Sequence, residues 1–436
     1  MKDPTRKKEQ APVNYRTITI AALVALNGGL NAQPSKVAIA GDSTEINGKK
    51  IFAISVAVLP PPEGKTPDGK SAWQEFADAG VNLARVVPGQ RGENHGWTDK
   101  GYAVARQYMD ALAAAKMHAW LWLGDDIAHF EAKDTGKQEK LRKLILTFKD
   151  HPALAFWKGE DEPLWGEMNA KAPGKKSPAQ LALPYKMLRE LDPHHPVVVI
   201  QAPRGTVKEL AEYRDVLDIT GMDVFPISYP PGGHLGKWPN KEISSVGDWT
   251  RIIKEAGGGK PVWMTLQVSF SGTVRPGRTL RMPTFPESRF MTYDAIINGA
   301  RGVNYFGGAN RASLNDRDAK LGYHWTFWDR TLRPLLAEIN ANGPLAEALV
   351  APDSKLPIKA DGEGIELVAR EVGADLFILA ASKNPQKTQQ VAFTGLPAGA
   401  GEGVVLFEAP RKVKATGGTF KDWFAPWEVH VYRFRR

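Results

Sequence analysis

Between residues 48 and 350, short apolar runs alternate with amphipathic ones, and this alternation constrains the fold more than any single motif does. NGKKIFAISVAV, VNLARVV, HAWLWLG, ALAFWKG, PVVVIQA, DITGMDVFP, PVWMTLQV and GVNYFGG read as strands. The segments between them, from SAWQEFADAG to PESRFMTYDAIINGA, read as helices, and a last long one runs from WTFWDRTLRPLLAEI into NGPLAEALV. Strands separated by helices pair in parallel, and strands apolar along their whole length are covered on both faces. Eight such units predict a closed (β/α)8 TIM barrel over 45–350. A doubly wound dinucleotide fold would carry a Gly-rich turn after its first strand, and VAVLPPPEG is proline-rich instead. Past Pro352 the period changes from helical to alternating, with Gly and Pro punctuation, which predicts a small C-terminal antiparallel β-sandwich over 355–436. Its Trp423, Trp427 and Tyr432 are expected in the core rather than on a sugar-binding face.

Composition removes several function classes. There is no cysteine, so disulfides, thiolate metal sites and thiol nucleophiles are excluded. The net charge is +9, but the basic residues are scattered without a stripe or interleaved aromatics, so no nucleic-acid partner is expected. Lys2, Arg6, Lys7, Lys8 and Arg16 precede the apolar run TITIAALVAL at 17–26 and the small residues ending at Ala32. That is the order of a secretory signal peptide over 1–32, too short to span a bilayer. The expected product is exported, periplasmic or secreted, with no membrane span in the mature protein.

In a barrel of this type the chemistry sits where the strands end, at the C-terminal face. Strand four ends in FWKGEDEPLW, so Glu160, Asp161 and Glu162 stand at the mouth. Arg85 follows strand two, Asp223 lies on strand six and Gln267 on strand seven. Trp122, Trp157, Tyr229, Trp263, Tyr305 and Phe306 are candidate walls. Carboxylates among aromatic faces suit carbohydrate: sugar C–H faces stack on rings, and acetal cleavage needs a protonated acid and a second carboxylate. No His-x-His occurs on strand one, so no metal and no cofactor is expected. His151, His194 and His195 lie in turns and read as structural.

DEP at 161–163 resembles the Asn-Glu-Pro signature of retaining, clan A-type (β/α)8 glycoside hydrolases. INGKKIFAISVAV, DHPALAFWKGEDEP, DPHHP, DVFPI, KPVWMTLQVSF and PTFPESRFMTYDAIINGARGVNYF are similar to phrases of a broad group of bacterial glycoside-hydrolase-like barrels, over most of 45–340. The resemblance implies Glu162 as acid/base and Asp161 in place of the asparagine that touches the sugar 2-hydroxyl. It breaks on strand seven, where Gln267 stands at the place of the nucleophilic glutamate. Asp223, then Glu287, then Glu160 are the alternatives for the second carboxylate. Glu287 begins a helix, where an acid also serves the helix dipole, and Glu160 is too close to Glu162 to reach across a substrate. The expected activity is hydrolysis of a glycosidic bond in an oligo- or polysaccharide, with Arg85, Trp122, Trp157, Asp161, Tyr229, Gln267 and Tyr305 holding the sugar. A catalytically inactive glycan-binding barrel is the alternative.

Overall fold

The computed structural model describes residues 33–57, 59–89, 96–168, 176–228, 230–268, 282–306 and 323–435. The signal-peptide segment 1–32 lies outside them. From Pro34 onward the chain is one compact unit. It starts with an antiparallel meander, β1 (Val37–Ala40), β2 (Ser43–Ile46) and β3 (Lys49–Ile51). The β2–β3 turn is Asn47-Gly48, both at positive φ (51° and 79°), the geometry that matches the twist of a tight hairpin.

Eight parallel strands then close a barrel in chain order. They are β4 (Ala53–Val56), β5 (Leu83–Val86), β6 (His118–Trp122), β7 (Leu154–Asp161), β8 (Val197–Gln201), β9 (Ile219–Val224), β10 (Val262–Gln267) and β11 (Gly302–Phe306). The interior is filled by Ala53, Leu83, Trp120, Phe156, Val198, Ile219 and Trp263, and Ile46 of the meander belongs to the same apolar cluster. The meander therefore plugs the N-terminal end of the barrel and leaves the opposite end open. It is fastened by Val37 N–H, which donates to His194 O at 3.2 Å. Its neighbour His195 is buried and paired with Asp192 at 2.7 Å, as a structural reading of that turn requires.

Helices cover the outside: α1 (Ala72–Asp78), α2 (Asp99–Ala114), α3 (Thr135–Phe148), α4 (Pro163–Met168), α5 (Pro178–Leu191), α6 (Val207–Ala211), α7 (Ser245–Gly257), α8 (Phe285–Ile297), α9 (Tyr323–Phe327), α10 (Arg333–Ile339) and α11 (Ala346–Val350). Hydroxyls of Ser71, Thr98, Thr206 and Thr284 accept from backbone N–H groups at four of the helix starts. Among the described residues no helix is long and apolar enough to cross a membrane.

The C-terminal part is a pair of antiparallel sheets. One is three-stranded: β12 (Lys359–Ala360), β15 (Gln389–Thr394) and β18 (Phe420–Phe424). The other is five-stranded, in the order β13 (Ile365–Val372), β14 (Asp375–Ser382), β19 (Val429–Arg435), β16 (Glu402–Leu406) and β17 (Arg411–Lys414). Phe393, Phe420 and Tyr432 fill the space between them, with Phe393 stacked on Phe420 at 4.6 Å. The outer face of the five-stranded sheet, Phe377, Leu379, Val429 and Val431, joins the barrel's own core cluster. Helix α8 is consequently buried on nearly every side, as a helix wedged between a barrel and a sheet must be. Trp427 packs edge-on against Phe290 of α8 at 4.9 Å, at this junction. Trp423 corrects the sequence expectation: it is 58% exposed, because alternation along β18 turns it away from the core that Phe420 and Phe424 enter.

A buried charge cluster locks β19 to its neighbours. His430 is 3% exposed and contacts Glu408 and Glu428, with Arg411 bridging Glu408 and Asp422. Burial alone would push the imidazole down, but the two carboxylates raise it to about 9. A pKa raised on folding gives stability that is whole below the unfolded value of about 6.5 and is lost as pH rises through the folded value. Chemical denaturation of the wild type should show a loss of up to ~3 kcal/mol between about pH 6.5 and 9.5 that is absent in His430→Gln.

Candidate active site

Strand β7 delivers three carboxylates to the mouth and disposes of each differently. Within β7, Phe156 turns into the barrel against Trp263. Trp157 turns outward, its indole N–H donating to Asp192 at 2.8 Å. The pairing with β8 slips between Lys158 and Asp161, the kind of irregularity that re-aims side chains near functional sites. Lys158 is fully buried and caps this kink: Nζ donates to Gly159 O at 3.3 Å and Glu160 O at 2.9 Å, and meets Asp161 Oδ1 at 2.7 Å. Glu160 faces away from the mouth cavity, between His129 at 2.5 Å and Lys176 at 2.8 Å. Burial raises its pKa, but these partners hold it below the ordinary value. Glu160 is thus an anchor, which explains how a charge is tolerated in that position.

Asp161 and Glu162 do face the cavity. Burial raises Asp161, while Lys158 and then Arg85 pull it below the usual carboxylate range, so it is ionised. Glu162 has φ +47°, a left-handed conformation that costs a non-glycine residue about 1–3 kcal/mol. Its N–H donates to Ile200 O at 2.9 Å, and the next-but-one residue, Leu164, donates to Gln201 Oε1 at 3.1 Å. The ladder with β8 and the start of α4 pin the strained residue from both sides, and an oxygen of its carboxyl lies within 4.8 Å of one of Asp223.

Two buried carboxyls this close disfavour ionising together. Burial, and then the charge of Glu162, push Asp223 well above the usual range. Burial, and then the charge of Asp161, likewise raise Glu162, against the positive charges of Lys158 and Arg204. Asp223 Oδ1 is buried with no hydrogen-bond partner, and Oδ2 stands 3.9 Å from His234 Nε2. The cavity around the pair, about 230 Å³, is lined by Arg85, Trp120, Asp161, Ile200, Phe225, His234, Thr265 and Phe306 as well as Glu162 and Asp223. Phe225 and Phe306 stack at 5.4 Å, and the Arg85 guanidinium lies 5.8 Å from the Phe306 ring centroid.

Comparison with solved structures then gives the fold a name. A glycoside hydrolase superimposes with a TM-score of 0.60 at 12% identity, over 92% of this chain and 96% of its own. A family 5 glycoside hydrolase from Bacteroides vulgatus gives 0.59 at 12%, over 92% of each chain. An α-amylase from Geobacillus thermoleovorans, complexed with acarbose, gives 0.51 at 12%, over 88% of this chain and 98% of its own. The fold is that of the (β/α)8 glycoside hydrolases. No protein-family profile matches the sequence, and neither does any curated protein.

Of the residues selected from sequence, Arg85, Asp161, Glu162, Asp223 and Phe306 meet in the cavity. Others do not, for physical reasons. Trp157 points to the helix layer, as its bond to Asp192 shows. Tyr305 is 1% exposed, its hydroxyl in contact with Thr292 of α8 at 3.0 Å. Gln267 spends both ends of its amide on Ile227, accepting from N–H at 2.9 Å and donating to O at 2.7 Å. Glu287 closes a capping box at the start of α8, accepting from Thr284 N and Oγ1 at 2.8 and 2.9 Å. Trp122 is half-buried beyond Trp120 on β6 and does not line the cavity. Tyr229 lies outside the described residues. Asp223 shares the cavity with Glu162, an oxygen of each carboxyl within 4.8 Å of the other. Sequence reasoning missed Trp120, Phe225, Thr265 and His234; the last was signalled only by the glycines of PPGGHLG around it.

Proposed function

We propose that this protein hydrolyses glycosidic bonds, with Glu162 as the general acid. The observation that carries this reading is the pair of carboxyls of Glu162 and Asp223, an oxygen of each within 4.8 Å of the other, in an aromatic-walled cavity in the barrel mouth. Burial and the nearness of Asp223 favour a proton on the pair, which is what a leaving glycosidic oxygen needs. Asp161 is the remaining carboxylate that lines the cavity among the described residues, held ionised by Lys158 and Arg85. It supplies the negative charge that steadies an oxocarbenium-like transition state or activates water. Phe225, Phe306 and Trp120 offer faces for a sugar ring. Export guided by residues 1–32 belongs to the same reading, since a polysaccharide is met outside the cytoplasm.

The engagement of Gln267 with Ile227 favours a second reading, a barrel that binds glycans without cleaving them. One assay separates the two. Wild type is incubated with a panel of oligosaccharides, polysaccharides and aryl glycosides, new reducing ends are measured, and binding is followed in parallel. Release of sugar from at least one substrate is expected. Binding without release across the panel establishes the second reading, and neither binding nor release sinks both.

A further inference from the structure

His234 reaches the carboxyl pair from a loop that has little freedom. It sits in a single 3-10 turn, Gly233–Leu235, between Gly232 and Gly236, whose φ values are 66° and 54°. Any other residue at those two positions would be strained, and a Cβ would fall 2.5 Å from Lys241 or 2.9 Å from Arg204. The His234 carbonyl accepts from Arg204 Nη2 at 2.8 Å, and the imidazole lies against Phe225 with centroids 4.6 Å apart. So placed, Nε2 is 3.9 Å from Asp223 Oδ2, beyond hydrogen-bond reach. One donor atom from each of Glu162, Asp223 and His234 lies within 4.8 Å of the other two.

Three donors gathered this closely, an imidazole and two carboxylates, make a ligand set for a metal ion. A tetrahedral zinc with bonds of about 2.0–2.2 Å sets its ligand atoms roughly 3.3 Å apart, so the observed spacing needs a contraction of about half an ångström on the His–Asp edge. Asp223 also keeps a buried oxygen with no hydrogen-bond partner, hence lone pairs to give. Calcium and magnesium want six or more oxygens, whereas an imidazole with two carboxylates and one open position is a zinc donor set. The open position would face the cavity.

We propose that Glu162, Asp223 and His234 form a binding site for a zinc-class divalent cation, and that metal binding and proton delivery are mutually exclusive uses of the same carboxyls. A carboxylate oxygen that ligates the ion cannot also carry a proton to a leaving group, so Glu162 cannot serve both. Arg85 lines the cavity and Arg204 stands beside the pair, so their positive charge moderates the affinity. The binding claim stands on the donor geometry alone, while the exclusivity rests on the hydrolase reading above.

The test uses the full chain, stripped with chelator and exchanged into metal-free buffer. Calorimetric titration with zinc chloride should give one site per chain, weakened about tenfold or more in His234→Ala and in Asp223→Asn. Magnesium chloride and calcium chloride should give no comparable site. Wild type without a stoichiometric zinc site, or variants that are folded by thermal melting and bind as wild type does, overturn the proposal. If a variant does not fold, cobalt(II) titration of the wild type decides: a visible d–d band of a four- or five-coordinate site supports it, and an octahedral spectrum overturns it. Where a glycan is cleaved, zinc should inhibit in step with its binding, and full activity at saturating zinc overturns the exclusivity. Zinc binding with no cleavage of any glycan leaves the metal site standing and removes the hydrolase reading.

Discussion

Glu162→Gln should lower the turnover of a cleaved glycan by about 10²–10⁴-fold while leaving its KM nearly unchanged. Glutamine matches glutamate in shape, so it keeps the contact with Asp223, the bond from its own N–H to Ile200 O and the same left-handed backbone. What it lacks is an acidic proton. The loss should therefore depend on the leaving group. An aryl glycoside with an activated phenol departs without protonation, and on it the variant should recover most of its bond-cleavage rate. Steady-state kinetics with poor and activated leaving groups measures this, and an equal loss on both would show that Glu162 does not protonate the leaving oxygen.

Arg289→Met should cost about 3–5 kcal/mol of folding stability. Arg289 is 11% exposed in its side chain, and its Nε donates to both oxygens of Glu338 at 2.9 Å, while Nη1 donates to Val429 O at 2.7 Å. One side chain of α8 therefore ties α10 to β19. Removing it leaves the buried Glu338 carboxylate with the Tyr293 hydroxyl at 2.8 Å and an uncompensated charge. The double variant Arg289→Met/Glu338→Leu should regain much of the loss, since taking out both charges removes the desolvation cost. Urea unfolding of wild type, Arg289→Met, Glu338→Leu and the double variant gives the coupling directly, and additive losses would refute a cooperative pair.

The barrel was legible because parallel strands buried on both faces leave long apolar runs that no loop imitates. Glu162 was legible because the end of such a run is the mouth. The same double burial hid which way each aromatic points. Trp157 and Phe156 are neighbours in one strand, equally buried, one outside the barrel and one inside. Only the register decides, so Trp157 and Tyr305 read as walls while Trp120 went unread. The meander escaped notice because its strands are short and half-exposed. Gln267 and His234 depend on loops: the first is satisfied by Ile227 in the segment after β9, the second enters from a turn that no period marks.

The burial of α8 on both of its sides bears on how such a protein could be rearranged by evolution. An accessory sheet that shares a helix's apolar surface with the barrel cannot be traded between unrelated barrels by joining genes at residue 352. Any successful recombinant would have to inherit Phe290, Arg289 and their partners Trp427, Val429 and Glu338 together, so the unit of exchange is the barrel with its sheets attached.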